Sequence, residues 1–475
     1  MSLPDAGATP PDSWAGGLDL GSTGIKILLA HTHSGANFAL QRPTPWRHEP
    51  GGTAELDAEA LLDAVHMLLT DAAGELSHRF GVHQIAALAL SGMGETGFLV
   101  DSHGRPATAA IAWFDPRGHE QLSALPPSLA REFPGRTGLP LGVQASVIKL
   151  VYLRDHGARL AGKRWLNLPE YVALALGAEA VSELSLASRT GLLDQDSLAL
   201  WGDVAAYLGV GPDFLPPLVD AGTDLGTIRK GWVPDAFVGA RVTIAGHDHL
   251  VSTVGAGGLA ADRYLVSMGT AEVLLRVVDQ PIPYADRERL AGYLINCVRH
   301  IVPGQFAVVA GVKTGLLMRR VLQLAGVRDD AGREELDAAA CAIPLAGELP
   351  TDAIEVRGAR NDDGVLSLTV RADGITPAET FNAVLRHGND EIQRLIDVLD
   401  TAIPPARSSI LTGGWARMAS VQRARSAVLP AVEVSTRGED TAYGAALIAQ
   451  QLLTGPGVPA VAGGPHTTTP RQEIQ

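Results

Sequence analysis

Two hydrophobic periods interleave along this chain. Short apolar runs predict strands. Longer stretches, with apolar residues recurring every three or four positions, predict helices. Their alternation predicts a mixed α/β architecture. Gly17 to Leu20 and Ile25 to Ala30 read as two strands joined by the tight turn Gly21-Ser22-Thr23-Gly24. Ala58 to Ala73 reads as a helix and Ile85 to Ser91 as a buried strand, while Val147 to Asp155 and Pro169 to Leu176 read as helical. Val242 to Ala245 is a short strand that ends at Gly246-His247-Asp248-His249, and Leu250 to Ala256 follows as a helix.

The opening pattern returns about half a chain later. Tyr264 to Leu275 is again strand, Gly-Thr turn, strand, repeating the logic of Leu18 to Leu29. Each copy opens a domain, with a boundary near Gly257–Ala261, so the expected domains are 15–257 and 258–454. Ser409-Ile410-Leu411-Thr412-Gly413-Gly414 is a strand running into a diglycine turn; Ala416 to Val428 and Asp440 to Gln451 then read as helices. Residues 1–14 and 455–475 are rich in Pro, Gly, Ala and Thr and read as disordered tails.

Composition adds limits. With 475 residues, 46% hydrophobic and 19% charged, the chain is globular and too long for one ordinary core. The net charge of -14, with no long Lys/Arg run, repels phosphate backbones and argues against nucleic acid as a partner. No apolar run reaches the roughly 18–20 residues of a membrane helix, so no membrane partner is expected. The N-terminus lacks the basic start of a signal peptide. Cys297 and Cys341, the two cysteines, read as reduced structural thiols. A cytoplasmic location is expected.

The candidate chemistry sits in the turns. Glycine turns offer backbone N–H donors with no Cβ in the way, and Ser/Thr hydroxyls add donors, as a phosphate requires. Gly21, Ser22 and Thr23 in one hairpin and Gly269 and Thr270 in the other suit this role, and the two hairpins together suit a polyphosphate gripped from both sides. Gly315, Gly413 and Gly414 join them as phosphate or nucleotide candidates. Asp19, just before the first turn, suits Mg²⁺ held through water, and Lys26 suits charge neutralisation. Asp248, between a strand and a helix start, suits a general base for an alcohol. Its alternatives are an N-cap and a metal site with His247 and His249. Met93 and Glu95, in the Gly-rich segment after a buried strand, and Trp113 and Asp115, after the next apolar run, are candidates for binding a sugar or polyol. Each of these segments reads equally well as a structural turn. The Gly-x4-Gly-Lys-Ser/Thr loop and the dinucleotide fingerprint are absent.

In this order the motifs resemble the FGGY family of carbohydrate kinases. The resemblance runs from about Gly16 to Ala449. It rests on Asp19 to Lys26, on Ser91 to Gly97 with Trp113-x-Asp115-x-Arg117, and on Ala187-Ser188-Arg189-Thr190 with Leu193-Asp194. It continues through Gly246 to His249, Ser267 to Thr270, Gly413-Gly414 and Glu439 to Ala446. It implies two ribonuclease-H-like domains of the actin/hexokinase type with a cleft between them. It further implies sugar bound mainly by the first domain, ATP by the second, Mg²⁺, Asp248 as the base and, often, a homodimer. The acceptor implied is a ketose such as a pentulose, or a polyol.

The chain departs from the family at several points. Gly94-Glu95 stands where glycerol kinases place Arg-Glu and xylulokinases Met-His, which argues against glycerol and puts D-xylulose in doubt. Trp415 follows the diglycine, where it would crowd or stack on the nucleotide, and Gly347-Glu348-Leu349-Pro350 is the remnant of a family loop. Two other functions share the fold: an actin- or chaperone-like ATPase, which needs no polyol site, and an inactive sugar sensor.

Overall fold

The computed structural model describes residues 13–344, 353–359, 365–435 and 437–454. Residues 1–12 and 455–475, most of the expected tails, lie outside this range, as does Gly347-Glu348-Leu349-Pro350. The first strand takes in Trp14, buried at 3% exposure, which corrects its assignment to the N-terminal tail.

The first half is built on β1 (Trp14–Leu20), β2 (Gly24–His31), β3 (Asn37–Pro43), β4 (Ala87–Gly92) and β5 (Arg241–His247), in the spatial order β5-β4-β1-β2-β3. β1, β2 and β3 form an antiparallel meander, whereas β1, β4 and β5 run parallel. β1 and β4 are buried along their whole length, which is why they read as continuous apolar runs instead of alternating ones. One face is covered by α1 (Ala58–Phe80), a helix that closes on Gly81 in the left-handed region, φ 65. α2 (Ser146–Asp155) and α3 (Leu168–Ala175) pack in the same half. α3 opens with a capping box between Asn167 and Glu170. α4 (Asp248–Ala256) leaves the end of β5 directly.

The second half repeats the plan. Its strands are β6 (Arg263–Met268), β7 (Glu272–Val278), β8 (Ile295–Arg299), β9 (Phe306–Val312), β10 (Ser408–Thr412) and β11 (Val432–Val434). Their order is β8-β9-β7-β6-β10-β11. β9, β7 and β6 form the antiparallel meander, β6, β10 and β11 run parallel, and β8 is an extra antiparallel edge. α5 (Thr314–Leu324), α6 (Pro377–Leu399) and α7 (Ala419–Arg425) pack in this half. The helix expected at Ala416 to Val428 is split. A 3₁₀ turn covers Trp415–Arg417, and Met418, at ψ 127, is extended before α7 starts.

The last helix, α8 (Asp440–Thr454), belongs to the second half in sequence, yet it packs on β1 and α4 of the first. The contact is made of small residues. A Cβ at Gly17 would stand 2.0 Å from the Ala442 carbonyl oxygen, and one at Gly255 would stand 2.0 Å from that of Asp440. Backbones this close allow no side chain between them. α8 therefore ties the two halves and brings its N-terminal end to the β1–β2 hairpin. Among the described residues, no helix is long and apolar enough to cross a membrane.

Candidate active site

The parallel strands β1, β4 and β5 align Asp19 with Ser91 and Ser91 with Gly246, so their carboxyl ends deliver Asp19, the Ser91–Gly97 segment and the Gly-His-Asp turn to one edge. A crevice outside the carboxyl ends of parallel strands is where ligands bind in open α/β sheets.

Asp248 is the first residue of α4, with its side chain 22% exposed. Burial opposes its ionisation. His249, His247 and the His249 backbone N–H, which donates to Oδ1 at 2.6 Å, outweigh that and hold the carboxyl below its ordinary value. His247 lies beneath, buried, its Nδ1 3.4 Å from Asp248 Oδ1. Burial pushes its imidazole down to about 3, so it is neutral. Among the described residues, no group of three or more His, Cys, Asp and Glu converges as a metal set, so His247 and His249 stand as neighbours of Asp248.

The turn carrying Asp248 is fixed from below by a buried hydrogen-bonded chain. The Ser185 Oγ–H donates to Glu183 Oε2 at 2.6 Å, and Ser185 Oγ accepts the His247 N–H at 3.0 Å. The Glu183 N–H in turn donates to Glu170 Oε1 at 2.9 Å. Gly246, at φ 110, passes so close that a Cβ would meet Ser185 Oγ at 2.6 Å.

Asp19 is buried, and its Oδ1 has no hydrogen-bond partner. Burial and then the charge of Asp248 push its carboxyl up to about 7, against the pull of Lys26. Lys26, paired with Asp19 across β1 and β2, reaches Glu439, the residue before the last helix, at 2.6 Å. Its charge is therefore already matched. The carbonyl of Gly21 accepts from Thr44 Oγ1 at 2.6 Å and that of Ser22 from Trp46 Nε1 at 2.7 Å. These bonds occupy oxygens that would repel a phosphate. Trp113 Nε1 donates to Ser22 Oγ at 3.2 Å, and its ring, 39% exposed, stands at the rim beside Phe114.

The acceptor candidates divide. Glu95 is buried and sits at φ 61, a left-handed conformation unusual for a residue with a Cβ. It pairs with Arg189. Burial raises its carboxyl above the ordinary range, Arg189 opposing and Asp248 adding to the rise. Met93 packs into the core of the first half. Asp115 is fully buried, with its carboxylate taken by the Ala54 N–H at 2.8 Å and by the Arg117 N–H and guanidinium at 2.7 to 2.9 Å. It holds the loop that carries Trp113, and its oxygens face the protein.

On the opposite side, Gly269 and Thr270 form the β6–β7 hairpin. Gly315 lies under it; a Cβ there would meet the Gly269 carbonyl oxygen at 2.0 Å, so this glycine serves close packing. Gly413, at φ 91, abuts Met268, while Gly414 has open space around its Cβ position. Trp415 is buried between Phe381 and the Arg333 guanidinium, turned into the core and not onto a nucleotide. Sequence reasoning passed over three residues that the fold brings to these turns: Ser185, Arg189 and Arg319, whose Nη2 lies 3.3 Å from Thr270 Oγ1. Arg189 lies in the family-like segment Ala187 to Thr190, but its pairing with Glu95 had no signal, and Arg319 had none, because each reaches its turn across tertiary space.

The family model for the N-terminal domain of the FGGY family of carbohydrate kinases matches residues 14–255, just over half the chain. A gluconokinase of Bacillus subtilis (strain 168) is 24% identical over 276 residues, spanning 56% of this chain and 52% of that protein. A xylulose kinase of Streptomyces rubiginosus is 26% identical over 460 residues, spanning 94% of this chain and 89% of that one. The chain thus covers about half the length of the first relative and most of the second. The solved structure of Plasmodium falciparum glycerol kinase with ADP superposes with a TM-score of 0.81 at 16% identity, over 94% of this chain and 91% of that one. At that identity the likeness speaks for the fold, two domains of the actin/hexokinase type. The chain belongs to the FGGY family of carbohydrate kinases.

Proposed function

We propose that this protein transfers the γ-phosphoryl group of ATP to a hydroxyl of a small sugar or polyol, with Asp248 as general base. The observation that carries this reading is an ionised Asp248 at the head of α4, beside the buried Glu95–Arg189 pair and facing the charge of Asp19. An aligned carboxylate beside polar groups able to hold hydroxyls is what transfer to an alcohol requires. ATP is the phosphoryl donor across the FGGY family, and the Plasmodium falciparum glycerol kinase structure was obtained with ADP.

The hairpin at Gly21, Ser22 and Thr23 would meet the phosphates from one side and that at Gly269 and Thr270 from the other, with Arg319 adding a cation to the second. The buried Asp19 Oδ1 lacks a partner, which fits a water of hydrated Mg²⁺. The ion would supply neutralisation of developing charge on the phosphate oxygens. Asp248 would take the hydroxyl proton. Glu95 and Arg189 would orient the acceptor, and Trp113 would cover it at the rim.

The test is acceptor dependence. ATP consumption is expected to rise on adding ketoses or polyols, and Asp248→Asn is expected to cut that turnover by about 10²–10⁴-fold while ATP binding persists. Near-normal turnover in Asp248→Asn removes the base assignment. An ATPase rate indifferent to every acceptor favours an actin-like ATPase instead.

A further inference from the structure

The ion pair of Glu95 and Arg189 carries more than a fold contact. Both side chains are close to fully buried, 9% and 13% exposed, at the edge that holds Asp248. Arg189 arrives from the segment after Glu183–Ser185, and its stem fills the space above Gly94. A Cβ at Gly94 would meet Arg189 Cβ at 2.9 Å and His247 Cδ2 at 2.9 Å. Position 94 is therefore glycine because an arginine from elsewhere occupies that room. The site lacks an arginine at 94 without lacking a guanidinium beside Glu95.

Arg189 gives Nη2 to Glu95, while its Nε and Nη1 are buried with no hydrogen-bond partner. A guanidinium grips a carboxylate with two neighbouring N–H groups, either Nε with Nη2 or Nη1 with Nη2. Glu95 takes one of the two Nη2 N–H groups, and the buried Nε–H and Nη1–H donors are left for the oxygens of an acceptor. Whether those oxygens belong to hydroxyls or to a carboxylate is decided by charge. Glu95 is balanced by Arg189 and Glu439 by Lys26, whereas Asp19 and Asp248 remain as acids facing each other. An acceptor bearing a carboxylate would add a like charge to that group.

Building on the kinase reading, we propose that Arg189 and Glu95 together select a neutral polyhydroxy acceptor, binding adjacent hydroxyls by donation from Arg189 and acceptance at Glu95, and discriminate against aldonates. Arg189 is thus a specificity residue that the chain supplies from position 189.

The experiment is a steady-state ADP-release assay of the full chain against neutral acceptors (glycerol, xylitol, ribitol, D-xylulose, D-ribulose) and aldonates (D-gluconate, D-xylonate). The best neutral acceptor is expected to exceed the best aldonate in kcat/KM by about tenfold or more. Arg189→Lys keeps the charge but loses the planar donors. It is expected to raise the KM of that neutral acceptor about tenfold, leaving the KM for ATP within about twofold. If Arg189→Lys does not fold by circular dichroism, Glu95→Gln serves in its place, with the same expected rise in acceptor KM. A preferred aldonate, or an acceptor KM unchanged in the folded variant, overturns the proposal and leaves the kinase reading intact. ATP turnover insensitive to every acceptor overturns the kinase reading and this proposal with it.

Discussion

The two halves of this molecule use one topology and two chemistries. In each, a strand pair closes on a glycine turn, β1–β2 through Gly21 to Gly24 and β6–β7 through Gly269 to Ala271. The position of Asp19, one residue before the end of β1 and paired with Lys26, corresponds to Ser267, paired with Val273. The first turn thus has an acid and a base where the second has a hydroxyl and a methyl-bearing side chain. Charge in the second half is withdrawn beneath the turn: Glu272 and Arg425 are fully buried, with Arg425 Nε donating to Glu272 at 2.8 Å and Nη1 to Asn389 at 2.6 Å. Both halves share the backbone scaffold that presents glycine turns, and the acid–base strand pair Asp19 and Lys26 is found in the first. The first half keeps at its edge a buried carboxyl, Asp19, whose ionisation burial and Asp248 oppose. The second half compensates its charge internally and offers backbone.

The sharpest break of this contrast is Arg425→Met. It leaves the Glu272 carboxylate buried and unpaired, which costs about 3–5 kcal/mol. Urea denaturation is expected to show a lowered midpoint in the variant. The double change Arg425→Met with Glu272→Leu is expected to recover most of the loss, since it removes both charges from the interior. A single variant as stable as wild type would mean that the pair does not anchor the second turn.

Ser185→Ala probes the first half, where a neutral group supports a charged one. It strips the His247 N–H and Glu183 Oε2 of a shared partner. A buried polar group left unsatisfied costs about 1–3 kcal/mol. Thermal melts are expected to register a loss of that order. Acceptor turnover is expected to fall further than ATP binding, because the turn that carries Asp248 loosens while both glycine hairpins stay intact. Equal losses in the two readouts would assign Ser185 to folding alone.

Much of this arrangement was legible in the sequence, and the boundary has a physical cause. Hairpins and strand ends are local: Asp19, the Gly-Ser-Thr-Gly turn, Gly269-Thr270 and Asp248 all follow from runs of apolar residues broken by glycine. Interactions made across the fold were not legible. Asp115 looked like a sugar ligand because it follows Trp113, yet its carboxylate is spent on Ala54 and Arg117. Lys26 looked free for phosphate and meets Glu439 from the far end of the chain. Trp415 looked placed to crowd or stack on the nucleotide and is buried on Phe381. Asp440 to Gln451 read as a helix, which the structure carries on to Thr454, but nothing in its own pattern says which half of the molecule it covers; only the matching glycines at 17, 255 and 444 do, and these meet in three dimensions.

At pH 4, Asp19→Asn gives the smallest expected stability change, and the variant separates function from folding in the first half. The Asp19 carboxyl stands at about 7, raised by burial and then by Asp248. The unfolded chain gives up this proton near the ordinary carboxylate value of about 4. Between those values the folded state holds a proton that the unfolded state has lost, so stability falls as pH rises from about 4 to about 7 and stays lowered above. Asparagine is neutral throughout and escapes this loss. The variant is therefore expected to melt with wild type near pH 4 and to melt higher by about a few degrees at pH 8, while acceptor phosphorylation is lost. Added Mg²⁺ at pH 8 is expected to raise the wild-type midpoint toward that of the variant, which itself barely responds, because an ionised Asp19 favours the cation and asparagine does not. A variant melting below wild type at pH 8 would mean that the Asp19 charge is already compensated in the folded protein. The contrast between an uncompensated first turn and a compensated second one would then not hold. The same substitution logic applied at Ser267 starts from a neutral side chain, and no pH-dependent gain is expected there, since serine holds no proton in the folded state that the unfolded state gives up.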